Sequence, residues 1–214
     1  MGHEGRDRAR AEIERRIVRG ELHGGTALDE QSLAGELDVE RGTVREALAS
    51  LLDGGSVRAN ADGGFSVGEL NEIELREAYP IVIILEGLAV RTAPEHSPSK
   101  IARLREINRR MSAQGADAMA ASTLDFEFHE ALYGDCGNEQ LLSTLRPLKR
   151  MLQRYEYAYM GEGRNVARSV ARHEEIADAL QEGDREYAAW LVEVNFREAM
   201  PDLILRVQAV AGAG

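Results

Sequence analysis

From Glu69 onward the sequence offers no alternating apolar and polar run. It shows only helical periods, in segments 70–94, 99–113, 116–133, 139–160, 164–182 and 184–208. That restricts the last two thirds of the chain to an antiparallel all-helical bundle. Ser97 and Pro98 read as a cap and a first-turn proline, and Gly183-Asp184 ends one helix and caps the next. Pro80 and Pro147 fall inside helical patterns and predict kinks or breaks there.

The first third reads differently. Helical patterns at Arg10–Arg19, Asp29–Glu36 and Glu40–Leu52 are separated by the Gly24-Gly25 turn and a short break at Asp38-Val39. After Gly54-Gly55, SVRANADGGFSV alternates apolar and polar residues around Asp62-Gly63-Gly64, the pattern of a two-stranded hairpin. The expected fold is mostly α: a winged helix-turn-helix over 1–68 and an antiparallel all-helical bundle as a second domain over 69–214.

At 214 residues and 43% hydrophobic content the chain can bury ample core. No apolar run approaches the ~20 residues that span a bilayer, and MGHEGRDRAR is charged where a signal peptide is apolar. A cytoplasmic location without membrane contact is expected. The single Cys136 supports neither an intramolecular disulfide nor a cysteine-based zinc site. A net charge of −11 argues against a protein that coats nucleic acid indiscriminately. Even residues 1–68 hold nine arginines and no lysine against thirteen acids, a balance of −4, so DNA binding depends on where the arginines point.

In SLAGELDVERGTVREALASLLDGGSV the apolar positions Leu33, Ala34, Leu37, Val39, Val44, Ala47, Leu48 and Leu51 form the mutual core of two short helices. The remaining face of the second helix carries Arg41, Gly42, Thr43 and Arg45, types suited to base edges and phosphates in a major groove. The segment from Gly20-Glu21-Leu22 through LDEQSLAGELDVERGTVREAL at 28–48 to the GGFSV wing resembles the GntR family of bacterial regulators. The resemblance implies DNA contact by Arg41 and Arg45, with Glu40, Gly42 and Thr43 beside them and Gly64 near the minor groove. Two positions depart from the family: Gln31 stands where an arginine is frequent, and Glu40 where a serine or threonine is. Arg6, Arg8 and Arg10 of the N-terminal arm are candidates to restore the lost positive charge.

In the helical part, LDFEFHEALYGDCGNEQLL sets Asp125 and His129 four residues apart on one helix face, as a hydrogen-bonded pair or as ligands for a divalent ion such as zinc, nickel or manganese. Asp125, Phe128, His129, Asn138, His173, Ile176, Gly183 and Asp184 together resemble the FCD effector domain of FadR-like GntR regulators. That resemblance implies one metal held by an aspartate and three histidines, and a small carboxylate effector. Asp125, His129 and His173 match three of those ligands, while Asn195, a weaker donor, occupies the fourth position. Val82 stands where the family has a pocket arginine four residues before the glutamate matching Glu86, and Arg150 or Arg154 is the candidate replacement. Tyr155, Tyr157, Tyr159 and Trp190 read as core or interface, and His3, His23 and His96 as solvated.

The function expected is a regulator, in the repressor sense, that binds a palindromic operator as a homodimer and is released by its effector. IVIILEGLAV is a candidate buried helix or dimer interface. Two rivals are a metal-dependent helical-bundle enzyme using Asp125, His129 and His173, and a metal-free regulator with an apolar ligand. No nucleophile or general base stands at a defined spacing to those three residues, which disfavours the enzyme.

Overall fold

The computed structural model describes residues 2–19, 21–94, 96–114, 117–160 and 163–211. It separates into two compact units, residues 1–70 and 71–214.

The first unit holds α1 (Gly2–Val18), β1 (Ala27–Leu28), α2 (Glu30–Leu37), α3 (Arg41–Ser50), β2 (Val57–Ala59) and β3 (Phe65–Val67). Asp29 caps α2 by accepting from the backbone N–H groups of Gln31 and Ser32. Asp38 closes the helix in the left-handed region at φ 52°, which turns the chain sharply into α3. Their apolar faces meet as expected: Leu33, Ala34, Val44, Ala47, Leu48 and Leu51 share a core with Ala9 and Ile13 of α1 and with Val57, Phe65 and Val67 of the sheet. Leu37 and Val39 sit at its edge, partly buried.

Two expectations need correction here. The N-terminal helix begins at Gly2 and not at Arg10, so that Arg6 and Arg8, expected in an arm ahead of it, are helical residues like Arg10. Arg6 pairs with Asp7, Arg8 donates to the Leu37 carbonyl, and Arg10 lies 4.0 Å from Glu14. The wing, moreover, belongs to a three-stranded antiparallel sheet in the order β1-β3-β2. The third strand forms because Val67 donates to the Thr26 carbonyl while Gly25 donates to that of Val67, too short a pairing to show as alternation. At the hairpin tip Gly63 takes φ +83°, a conformation that favours glycine.

The second unit contains α4 (Glu72–Thr92), α5 (Pro98–Ser112), α6 (Ala118–Tyr133), α7 (Glu139–Met160), α8 (Gly163–Gln181) and α9 (Arg185–Ala211). Helix α4 packs on α9 and α7, α5 on α6 and α8, and α8 on α9. The Ser97 hydroxyl caps α5 ahead of Pro98, and Asp184 accepts from the Tyr187 N–H at the start of α9.

Neither Pro80 nor Pro147 breaks its helix, and Pro201 lies inside α9 as well. All three prolines are exposed, so the backbone carbonyl that each leaves without an N–H donor lies on a hydrated face. Among the described residues no helix is long and apolar enough to cross a membrane.

Candidate functional site

On the first unit, α3 presents Arg41, Gly42 and Arg45 exposed and Thr43 half-buried, while Val44, Ala47 and Leu48 turn into the core. The two arginines are not loose. Glu30, buried at the start of α2, accepts from Arg41 Nε at 2.8 Å and from Arg45 Nη1 at 2.6 Å. Arg45 also donates to the Gly63 carbonyl at the wing tip at 3.3 Å and lies over the Phe65 ring. Hydrogen bonding from Arg41 holds the Glu30 carboxyl below its ordinary range, so it remains an anion between two guanidinium groups.

One carboxylate thus fixes the spacing of the two exposed α3 cations, and the bond from Arg45 to Gly63 ties that helix to the hairpin tip. Gln31, next to Glu30 and a candidate from the family pattern, is exposed and lies outside this pairing, whereas nothing in the local sequence marks Glu30. Glu40 is the N-cap of α3 but makes no side-chain cap bond there, leaving the first-turn N–H groups without the partner that serine or threonine would supply. A Cβ on Gly42 would meet nothing within 4 Å, so packing inside the protein does not require the glycine. Gly64 is half-buried beside Asp62, whose carboxylate accepts from its N–H.

Replacing Glu30 by glutamine is expected to free the arginines from their common anchor. Non-specific DNA affinity should rise, because a negative charge is gone, while the ratio of specific to non-specific affinity falls several-fold. Parallel titrations with operator and scrambled DNA measure both, and an unchanged ratio would show that Glu30 does not organise the reading face.

Inside the second unit, α6 and α8 bring together Asp125, His129 and His173, whose ligand atoms lie within 4.8 Å of one another. All three are buried. His173 Nε2 is 3.4 Å from Asp125 Oδ1, and His129 Nε2 is 3.9 Å from Asp125 Oδ2. Phe128 stacks on the His173 ring at 3.8 Å and fixes its plane. His129 Nδ1 is hydrogen-bonded to Glu86 on α4, which leaves Nε2 as the lone-pair nitrogen when the imidazole is neutral.

A second layer surrounds this triad. Lys149 of α7, fully buried, places Nζ 3.4 Å from Glu86 Oε2, 3.8 Å from Glu156 Oε1 and 4.6 Å from the centre of the Phe196 ring. Burial opposes its charge, but Glu156, Glu86 and Asp125 outweigh that and keep Lys149 an ammonium. Burial raises the Asp125 carboxyl to about 6 and drives His173 well below the ordinary imidazole value, so His173 is neutral and ready to donate a lone pair. A cavity of about 10 Å³, roughly the space of one water molecule, adjoins Asp125 and is lined by Tyr79, Glu156, Tyr159, Ser169 and Asn195 among others.

Comparison with known proteins identifies both units. The profile described as "Bacterial regulatory proteins, gntR family" matches residues 6–67, and the profile described as "FCD domain" matches residues 77–196. The chain belongs to the GntR family. It is a DNA-binding transcriptional regulator whose second unit carries an FCD effector domain. An uncharacterized HTH-type transcriptional regulator in an unstable DNA locus of Streptomyces ambofaciens is 29% identical over 184 residues, covering 86% of this chain and 78% of that protein. The gluconate operon transcriptional repressor of Bacillus licheniformis is 26% identical over 216 residues, covering 95% and 88%. A transcriptional regulator GntR from Rhodococcus sp. RHA1, of known structure, shares the fold with a TM-score of 0.75 at 23% identity, covering 92% of this chain and 96% of its own.

Within the FCD part, the residues proposed for an effector fall in different places. Val82 is buried on α4, one helical turn before Glu86. Arg150 is exposed, and Arg154 is pinned by the Glu74 carboxylate and lies over the Tyr155 ring, so neither arginine lines the cavity. Asn195 does line it, together with Asp125.

Tyr155, Tyr157 and Tyr159 are buried, whereas Trp190 is exposed and stacks on Tyr187. His23 is exposed in its turn. His96, expected to be solvated, is half-buried and bonds the Leu132 and Pro94 carbonyls, because the loop ahead of α5 folds back on the end of α6.

Glu86, Lys149 and Glu156 complete the buried centre. Only Glu86 was noticed in the sequence, and then merely as a landmark for Val82. The others carry a signal after all: Leu145, Lys149, Leu152 and Glu156 follow helical spacing on the buried side of α7, where a charged residue needs a reason.

Proposed function

We propose that this regulator binds a two-fold-symmetric operator as a homodimer, with Arg41, Gly42, Thr43 and Arg45 of α3 in the major groove and the Gly64 wing on the adjacent minor groove. A small effector bound in the FCD unit then changes the dimer geometry and releases the operator, in the manner of a repressor. Beside the effector, Asp125, His129 and His173 hold one divalent metal, with Asn195 or a water as a further donor.

One observation carries the metal reading. Asp125 Oδ1, His129 Nε2 and His173 Nε2 are buried without a hydrogen-bond partner, a costly arrangement unless something receives their lone pairs. Two imidazoles and a carboxylate are the donor set of zinc, nickel or manganese. When bound, such an ion supplies a Lewis-acidic pole for an effector oxygen. The protein's own residues do the rest: Glu86 fixes the His129 ring, Phe128 fixes the His173 ring, and the surrounding apolar core excludes water.

The dimer is supported by the surface of α4, where Ile81, Ile84 and Leu88 remain exposed at helical spacing. Tyr187 and Trp190 of α9 are exposed as well.

Elemental analysis of protein purified without a metal-affinity column tests the metal reading. About one divalent ion per chain is expected, and chain lacking metal throughout would overturn it. Zinc at a hundredfold excess over its dissociation constant should stabilise the fold by about 2.7 kcal/mol. Asn195→His should raise zinc affinity by roughly tenfold or more, the effect of an added imidazole worth ~1.4 kcal/mol. Equal affinities by calorimetry would remove Asn195 from the site.

A further inference from the structure

The buried centre holds more negative charge than a carboxylate-binding pocket tolerates. Glu86, Asp125 and Glu156 are all buried within one cluster, and Lys149 is the buried ammonium that serves them. Its Nζ lies between Glu86 and Glu156 and over Phe196, while the cavity itself is lined by the two carboxylates Asp125 and Glu156 and by no lysine, arginine or histidine.

Arg168 donates to the Tyr159 hydroxyl and pairs with Asp202 at 3.1 Å, and it does not line the cavity. Three carboxylates, one ammonium and a divalent ion sum to zero. A carboxylate ligand would therefore leave a net buried anion, with Glu156 facing it across a low-dielectric gap. Glu156 Oε2, by contrast, is a buried acceptor without a hydrogen-bond partner, and the Ser169 hydroxyl, Asn195 amide and Tyr79 and Tyr159 phenols line the same space.

We propose that the effector is an uncharged, hydroxyl-bearing molecule of the polyol or sugar class, and that Glu156 is the residue that selects it over the corresponding acid. As the space holds about one water molecule when closed, the surrounding helices must part to admit the ligand, whose hydroxyl then donates to Glu156 while its neighbouring oxygen faces Asp125 and the metal position. This rests on the FCD cavity being the effector site, as proposed above, and names the chemistry it accepts.

The test uses the cobalt-loaded full-length protein and two probes of matched size, glycerol and glycerate, which differ by a carboxylate in place of one CH₂OH. Binding is followed by the cobalt absorption spectrum. Wild type should half-saturate with glycerol at a concentration at least about tenfold below that for glycerate, and Glu156→Gln should shrink or invert that ratio. Glycerate binding as tightly as glycerol, an unchanged ratio in the variant, or no response to either probe overturns the proposal. Should cobalt itself not bind, the metal reading fails, and the same two probes ranked by calorimetry on the metal-free protein still decide the selectivity.

Discussion

Lys149→Met should destabilise the helical unit by about 3–5 kcal/mol, because it strips the shared cation from two buried carboxylates without removing them. For a chain of this size that corresponds to a fall in melting temperature of roughly 6–20 °C. The control is Arg150→Met one residue along the same helix, where the side chain is exposed and the change should stay within about 0.5 kcal/mol. Guanidinium titrations of both variants by circular dichroism make the comparison. Equal stability of the two variants would mean that Glu86 and Glu156 find another partner or are uncharged in the folded chain. If a divalent ion occupies the triad, its positive charge should offset part of the loss, so zinc should stabilise the methionine variant more than the wild type.

The second large effect lies on DNA. Arg45→Ala removes a guanidinium that Glu30, Gly63 and Phe65 together hold in place. A bidentate arginine contact to a base is worth ~1–3 kcal/mol of discrimination, so specific operator affinity should drop by roughly 5–150-fold. Non-specific binding should weaken far less, with the salt dependence reduced by about one phosphate contact at most. Fluorescence anisotropy with operator and scrambled duplexes distinguishes the two. Unchanged operator affinity, with the protein still folded, would take Arg45 out of the recognition set.

The two units were legible in the sequence for different reasons. In the first, short-range signals were enough for the break at Asp38-Val39 and the hairpin tip around Asp62-Gly63-Gly64, whereas the Asp29 cap and the left-handed backbone of Asp38 emerged only in the structure. Strand β1 escaped because two residues cannot display a period. In the bundle, helical spacing gave the helices and the Asp125–His129 pair, since both live on one element.

What pairs across elements was hidden. Glu30 reads as an ordinary first-turn acid, and only the fold reveals that it faces Arg41 and Arg45 from another helix. Lys149 and Glu156 look solvated by type, and only their place on the apolar side of α7 contradicts that. At Pro80 and Pro147 a residue-level rule forecasts kinks or breaks, and of the two the breaks are absent, because the exposed positions let the helices continue.

The cavity beside Asp125 has room for little more than a water molecule. If the effector binds there, as proposed, one larger than that must wait for the helices around it to part, so that entry is timed by the protein and not by diffusion. The observed association rate should level off as effector concentration rises, at the frequency with which the bundle opens. Switching speed in such a regulator is then a property of its packing, and a substitution that loosens Phe196 or Tyr159 against their neighbours would quicken the response and, by populating the open state more, tighten the apparent affinity with it.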